Sequence, residues 1–273
     1  MLEVSAPKPG NITPAHDFSD TTYADMVRSA LVLGPVFARR RARQRSVGEL
    51  ITDAVRATAR VAHANTNLGI VLLFAPLVRA AVTRRADEGL RPATERTLAQ
   101  LDVDDAAAAF AAIAQAEPGG LGEAPEHDVR APARVTLREA MAATAHRDSV
   151  ASEYATGYAI VFDTGLPLLA DALQDGASTP DAIVSLQIGL LASHPDTLIA
   201  RKAGAPAARA VTAAAREVRE GTRSLEDFDA SLRDVSLRDP ELRDADNRMN
   251  PGTTADLVAA TVLAALLSGV RLP

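Results

Sequence analysis

Two stretches of this sequence are too apolar to lie on a protein surface and too short to cross a bilayer. Residues 68–78 and 257–267 carry no charged side chain. A membrane helix needs roughly 18 to 20 apolar residues, and both runs fall well short of that. The region 68–85 is apolar on most faces of a helix, which puts it at the centre of a bundle. The last helix, ending near residue 269, has the same character. A chain with two such segments must surround them with other helices.

The rest of the chain supplies those helices. Aromatic residues are only 3% and tryptophan is absent, while alanine is abundant. Alanine is the strongest helix former, and strands favour aromatic and β-branched residues. The expected fold class is all-α, a multi-helix bundle of about ten to twelve helices with helical periodicity. Residues 1–273 are read as one all-helical domain, with residues 1–18 extended. Helices are expected at 21–33, 46–64, 68–85, 94–101, 104–116, 136–146, 149–162, 164–174, 179–193, 205–221 and 224–236, and then at the C-terminus. The first should stop at Gly34-Pro35. A Gly/Pro-rich stretch at 117–134 is read as a surface loop, and "ARRRARQR" (38–45) as a solvated basic helix end or loop. No fixed-period repeat and no Rossmann-type glycine motif occurs.

Charge and cysteine content exclude several classes. The net charge of -6 does not suit a general nucleic-acid binder. With no cysteine there is no disulfide, thiolate metal site or thiol nucleophile. No secretory signal opens the chain, so the expectation is a cytoplasmic protein that does not engage membranes. An alanine-rich bundle has room to bury one further face in a homodimer.

Polar residues gather where apolar helices start or stop. The segments are "KPGNITPAHDF" (8–18), "HANTNLG" (63–69), "HRDSVASEYATGY" (146–158), "SHPDTLIARKAG" (193–204) and "NPGTTADL" (250–257). The two lysines, Lys8 and Lys202, both lie in this set, as do four of the five histidines. Helix N-termini present unpaired N–H groups and partial positive charge, so they can hold phosphates. Neighbouring carboxylates can hold Mg²⁺ on those phosphates. Taken one at a time, each segment is equally explained as capping. Thr253 or Thr254 can cap the last helix, Asn65 and Asn67 the helix that follows them, and Asp196 and Asp256 are ordinary first-turn acids.

The order of these segments resembles the triphosphoribosyl-dephospho-CoA synthase family (the CitG/MdcB type). Pro7-Lys8-Pro9-Gly10 with His16-Asp17 is similar to the family's opening element, and Ser29-Ala30 to a serine-alanine pair in its first helix. Asn65-Thr66 resembles its Asn-Thr motif. Asp196-Thr197 with Arg201, Lys202 and Gly204 resembles its Asp-Thr element. Asn250-Pro251-Gly252 and Ala255-Asp256-Leu257 resemble its closing element. The resemblance spans about residues 3–268. Two departures stand out: Asn67-Leu68-Gly69 replaces the family's His-Lys-Gly, and Pro14-Ala15 stands where the family has a glycine.

The resemblance implies a transferase that joins ATP and 3′-dephospho-CoA. The ribose 2′-hydroxyl of dephospho-CoA attacks the anomeric carbon of ATP's ribose and adenine leaves. It implies nucleotide and CoA-type ligands and Mg²⁺. Asp196, Asp256 and Asp17 are expected to hold the metal or face an oxocarbenium-like centre. Lys8, Arg201 and Lys202 are expected to neutralise phosphate. The turn from Gly252 through Thr253 to Thr254 should offer N–H groups to an anion. His16 is the preferred proton-transfer residue. Asn65, Thr66 and Asn250 would orient sugar hydroxyls or metal-bound water. The rival readings are a Mg-dependent nucleotide hydrolase, a pentosyltransferase with another acceptor, a nucleotide-binding protein without turnover, and a purely structural helical protein.

Overall fold

The computed structural model describes residues 1–62, 66–116, 129, 131–233 and 247–273. Most of the expected 117–134 loop, and Asn65, lie outside these residues. The described elements are all helical: α1 (Leu2–Ser5), α2 (Tyr23–Phe37), α3 (Arg39–Gln44), α4 (Val47–Thr58), α5 (Leu68–Thr83), α6 (Leu90–Ala99), α7 (Val103–Ala116), α8 (Leu137–Thr144), α9 (Ser149–Thr156), a π-helical segment (Ile160–Gly165), α10 (Leu166–Gln174), α11 (Thr179–Ser193), α12 (Thr197–Ala203), α13 (Ala205–Arg219), α14 (Leu225–Leu232) and α15 (Gly252–Leu267). Among the described residues this exceeds the expected ten to twelve, because α1, α3 and α12 are short helices in stretches read as extended, basic or interrupted. No single helix among them is long and apolar enough to cross a membrane.

Caps set most of the boundaries. Thr22, Ser46 and Thr136 each form a reciprocal capping box with Asp25, Glu49 and Glu139 at the third helical position. One expected stop fails. Helix α2 runs through Gly34-Pro35 to Phe37. Pro35 withdraws the N–H that would reach the Leu31 carbonyl, but Leu31 is 62% exposed, so water can replace the lost bond.

The two apolar runs become α5 and α15, which pack against each other in the main core. Pro76 lies inside α5 and frees the carbonyl of Leu72, four residues back. The hydroxyl of buried Tyr154 donates to that carbonyl at 2.6 Å, and Tyr158 donates to Leu73 O at 2.8 Å. Tyr154 therefore repairs the backbone that the proline interrupts, and Tyr158 adds a bond to the next carbonyl along. Helix α11 is buried on several sides. Ala182, Ile183, Leu186 and Leu190 join the main core, whereas Val184, Ile188, Leu191 and Ala192 join a second one with α12, α13 and α14.

The expected helix 149–162 breaks at Gly157 and Tyr158, both with positive φ (69° and 63°). Beyond the break, Glu153 Oε1 and Oε2 accept the N–H groups of Ile160 and Val161 at 2.9 Å each. This carboxyl is fully buried, and burial lifts it to about 7 against those two hydrogen bonds. The folded state thus holds the proton more tightly than the unfolded chain, whose value is near 4.5. The resulting stabilisation is complete below that value and is lost as pH rises through about 7. Urea unfolding should therefore show stability falling by about 1–3 kcal/mol between pH 5 and pH 8, with Glu153→Gln removing that part of the slope. Identical slopes in both proteins would refute the assignment.

Candidate active site

The first turns of four helices meet at one place. Asp196 caps α12, with Oδ1 accepting from Leu198 N at 2.8 Å and Ile199 N at 2.9 Å. Its Oδ2 accepts from Thr254 N at 2.7 Å and Thr254 Oγ1 at 2.8 Å. One buried carboxylate thereby ties the start of α12 to the start of α15. Asp148 caps α9 through Val150 N and Ala151 N, at 2.8 and 3.2 Å. Its other oxygen pairs with Arg201 of α12 at 2.5 Å. A hydroxyl relay closes the group: Ser149 N donates to Thr197 Oγ1 at 3.3 Å, and Thr197 Oγ1 lies 3.2 Å from Thr253 Oγ1. Helix α5 enters through Gly69, where a Cβ would fall 2.0 Å from Asp256 Oδ2. Only glycine lets that carboxylate approach.

Asp256 differs from its neighbours. It keeps some accessible surface, yet protein encloses its carboxyl and no hydrogen bond from the described residues reaches it. Burial pushes its pKa well above the usual carboxylate range. Glu3, Asp196 and Asp148 add to the rise, and Arg201 opposes it. Asp196 is also raised by burial, although its four hydrogen bonds pull the other way. An unpartnered acid at the meeting of several helix starts is a group built to meet a cation or exchange a proton.

The N-terminal segment is threaded into the same region. Lys8 is buried and pairs with Glu3 of α1, Nζ to Oε1 at 2.9 Å, and also donates to Glu3 O at 2.8 Å. Gly10 has φ of +71°, and its N–H donates to Asp229 Oδ1 at 2.7 Å. Asn11 Nδ2 donates to Asn250 Oδ1 at 2.6 Å, and Gln187 Nε2 donates to Asn11 Oδ1 at 2.7 Å. The Lys-Pro-Gly-Asn segment is thus clamped between α11, α14 and the turn before α15.

Most of the other expected residues are engaged by protein partners. A shared metal cage of Asp17, Asp196 and Asp256 is not formed, and no group of three or more acids or histidines among the described residues is placed to hold an ion. The reason is that two of the three are spent as caps: Asp17 is exposed and accepts the Tyr23 N–H at 2.6 Å, and Asp196 is saturated. The 252–254 turn offers fewer amides than expected, since Gly252 N–H goes to Asn250 O at 2.8 Å and Thr254 N–H to Asp196. Lys8 and Arg201 are already paired with acids, and Lys202 Nζ donates to Asn247 Oδ1 at 2.8 Å. His16 lies on an exposed turn where its backbone pairs with Thr13, and no hydrogen bond joins it to Asp196 or Asp256. Thr66 Oγ1 donates to Ser29 Oγ of α2 at 2.7 Å.

Sequence reasoning missed Glu3, Asn11, Asp148 and Gln187. Asp148 carried a readable signal, because Asp-Ser directly before an apolar-periodic segment is a cap pattern. The two positions where the sequence departs from His-Lys-Gly have structural roles here. Asn67 Nδ2 donates to Thr58 Oγ1 at 3.2 Å, and Leu68 is buried in the main core.

The sequence matches the CitG family, ATP:dephospho-CoA triphosphoribosyl transferase, over residues 1–272. The structure is similar to the crystal structure of an Archaeoglobus fulgidus protein proposed to be a triphosphoribosyl-dephospho-CoA synthase. The TM-score is 0.66 at 26% identity, covering 90% of this chain and 100% of that one. No curated protein sequence matches significantly.

Proposed function

Because this chain belongs to the ATP:dephospho-CoA triphosphoribosyl transferase family, we propose that ATP and 3′-dephospho-CoA react beside Asp256. The reaction forms a bond from the acceptor's ribose 2′-oxygen to the anomeric carbon of ATP's ribose. The bond from that carbon to adenine breaks, and the hydroxyl proton is balanced by protonation of the departing base. The observation that carries the location is the enclosed, unpartnered Asp256 carboxyl among four helix starts.

The donor set suits magnesium in one way only. Mg²⁺ is commonly held by one or two carboxylates together with substrate phosphates, so Asp256 is the protein ligand we assign. When bound, the ion would neutralise the triphosphate. Burial favours the neutral form of Asp256, and a positive charge beside it, whether the ion or the sugar's developing cation, would favour the carboxylate. Asp196 and Asp148 are positioning residues that hold α12, α15 and α9 in register. Arg201 can turn from Asp148 to a phosphate, because its side chain remains partly exposed (28%). Asn250, held by Asn11, is the residue we assign to orient a sugar hydroxyl.

The test is product analysis with Mg-ATP and dephospho-CoA. Adenine should appear only when dephospho-CoA is present, in step with a product carrying the triphosphoribosyl mass. Release of phosphate, or adenine release indifferent to the acceptor, would overturn the reading.

A further inference from the structure

A concavity lies between α2, α3 and α4. It encloses about 400 Å³, within the range of small-molecule sites. Its floor is apolar, formed by Val32, Val36, Ala57 and Val61. Its polar lining is Arg41, Asp53, Arg56 and Arg60. Asp53 is already neutralised, by Arg41 at 2.7 Å with Arg45 at 3.7 Å. Among the described residues neither Arg56 nor Arg60 has a carboxylate partner, and both are exposed. The cleft therefore presents net positive charge above an apolar base, in a chain whose overall charge is -6.

Short contacts link the walls of this cleft to the Asp256 region. Val61 O accepts from Arg28 Nε of α2 at 3.4 Å. Thr58, on the last turn of α4, is held by Asn67, the residue that precedes α5. Gly69, two residues further on, touches Asp256. Ser29, one turn before Val32 on α2, binds Thr66 at the same junction.

The reaction brings two polyanions together, and like charges crowd each other. The helix starts around Asp256, with Arg201 turned from Asp148, suit one of them, and Lys8 stays paired with Glu3. The other needs its own counter-charge. Resting on the proposed reaction, we infer that the cleft holds the diphosphate–pantetheine arm of dephospho-CoA, with Arg56 and Arg60 on the diphosphate and the apolar floor beneath the arm. ATP occupies the Asp256 side.

Calorimetry and steady-state kinetics on the whole chain decide this. In R56A/R60A the Kd and KM for dephospho-CoA should rise at least about tenfold, while the Kd for ATP stays within about twofold. R40A removes a charge on α3, beside Arg41 but outside the cleft lining, and should leave acceptor affinity intact. An unchanged acceptor Kd in the double variant overturns the cleft while leaving the reaction standing. So does equal weakening of ATP and acceptor, or equal weakening in R40A, since each shows a diffuse field. A wild-type chain that binds dephospho-CoA but releases no adenine removes the reaction, and the double variant's Kd still tests the cleft. A wild-type chain that does not bind dephospho-CoA overturns both.

Discussion

Asp256→Asn should cut adenine release at least about 1,000-fold while the folded protein is as stable as the wild type or more so. The asparagine keeps the shape that Gly69 accommodates but cannot hold Mg²⁺ or face a cation as a carboxylate. The stability half of the expectation follows from the same feature. Asp256 is enclosed, receives no hydrogen bond from the described residues and sits near Glu3, Asp196 and Asp148, so its ionised form is unfavourable in the empty protein. Removing the charge removes that cost. Turnover within tenfold of wild type would take Asp256 out of the chemistry. A sharp fall in melting temperature would show that the carboxyl has a structural role instead.

Asp196→Ala should act in the opposite way, by unfolding. Four donors converge on this side chain: Leu198 N, Ile199 N, Thr254 N and Thr254 Oγ1. Alanine leaves the buried donors without an acceptor and strips the cap of α12. An unsatisfied buried group costs about 1–3 kcal/mol and a lost cap about 1, so a total near 3–5 kcal/mol is expected. In a chain of this size that corresponds to a drop of about 10 °C in Tm. Asp196→Asn should fall between, because its amide oxygen still caps α12 while its NH₂ faces the Thr254 N–H. Calorimetric unfolding of the three proteins checks the order. A loss below about 1 kcal/mol in the alanine variant would show that α12 and α15 are held together by other contacts.

The helical fold was legible because its signals are local. The threonine and serine caps at Thr22 and Ser46 announce themselves through the acids three residues later, and the apolar runs of α5 and α15 exclude any surface position. The short α1 and α12 were not legible, since helices of four and seven residues gain their stability from what they pack on. The break after α9 was hidden for a similar reason. The chain turns there through left-handed Gly157 and Tyr158, a buried glutamate takes up the N–H groups of Ile160 and Val161, and nothing in the spacing of apolar residues reports it. In the candidate site, the polar segments could be named from sequence, but not how their charges are spent. Lys8 reads as a cation for phosphate until Glu3 is seen beside it. Asp196 reads as a metal ligand until all its acceptor positions are counted. Arg201 and Asp148 are 53 residues apart, and no local pattern links them. The acid that remains unsatisfied, Asp256, is recognised only by subtraction of the others.

Helix α11 gives one side to the main core and the other to the core of α12, α13 and α14. Neither assembly can melt while α11 stays intact and packed, because each would leave half of one helix bare to water. Heat should therefore dissolve both in a single cooperative transition, and the amide protons of Leu186 and Ile188 should be among the slowest to exchange with solvent deuterium. The same coupling carries outward: α12, capped by Asp196 and bearing Arg201, packs on α13 and α15, and both of those pack on α11, so the reactive end is braced by the helix expected to open last.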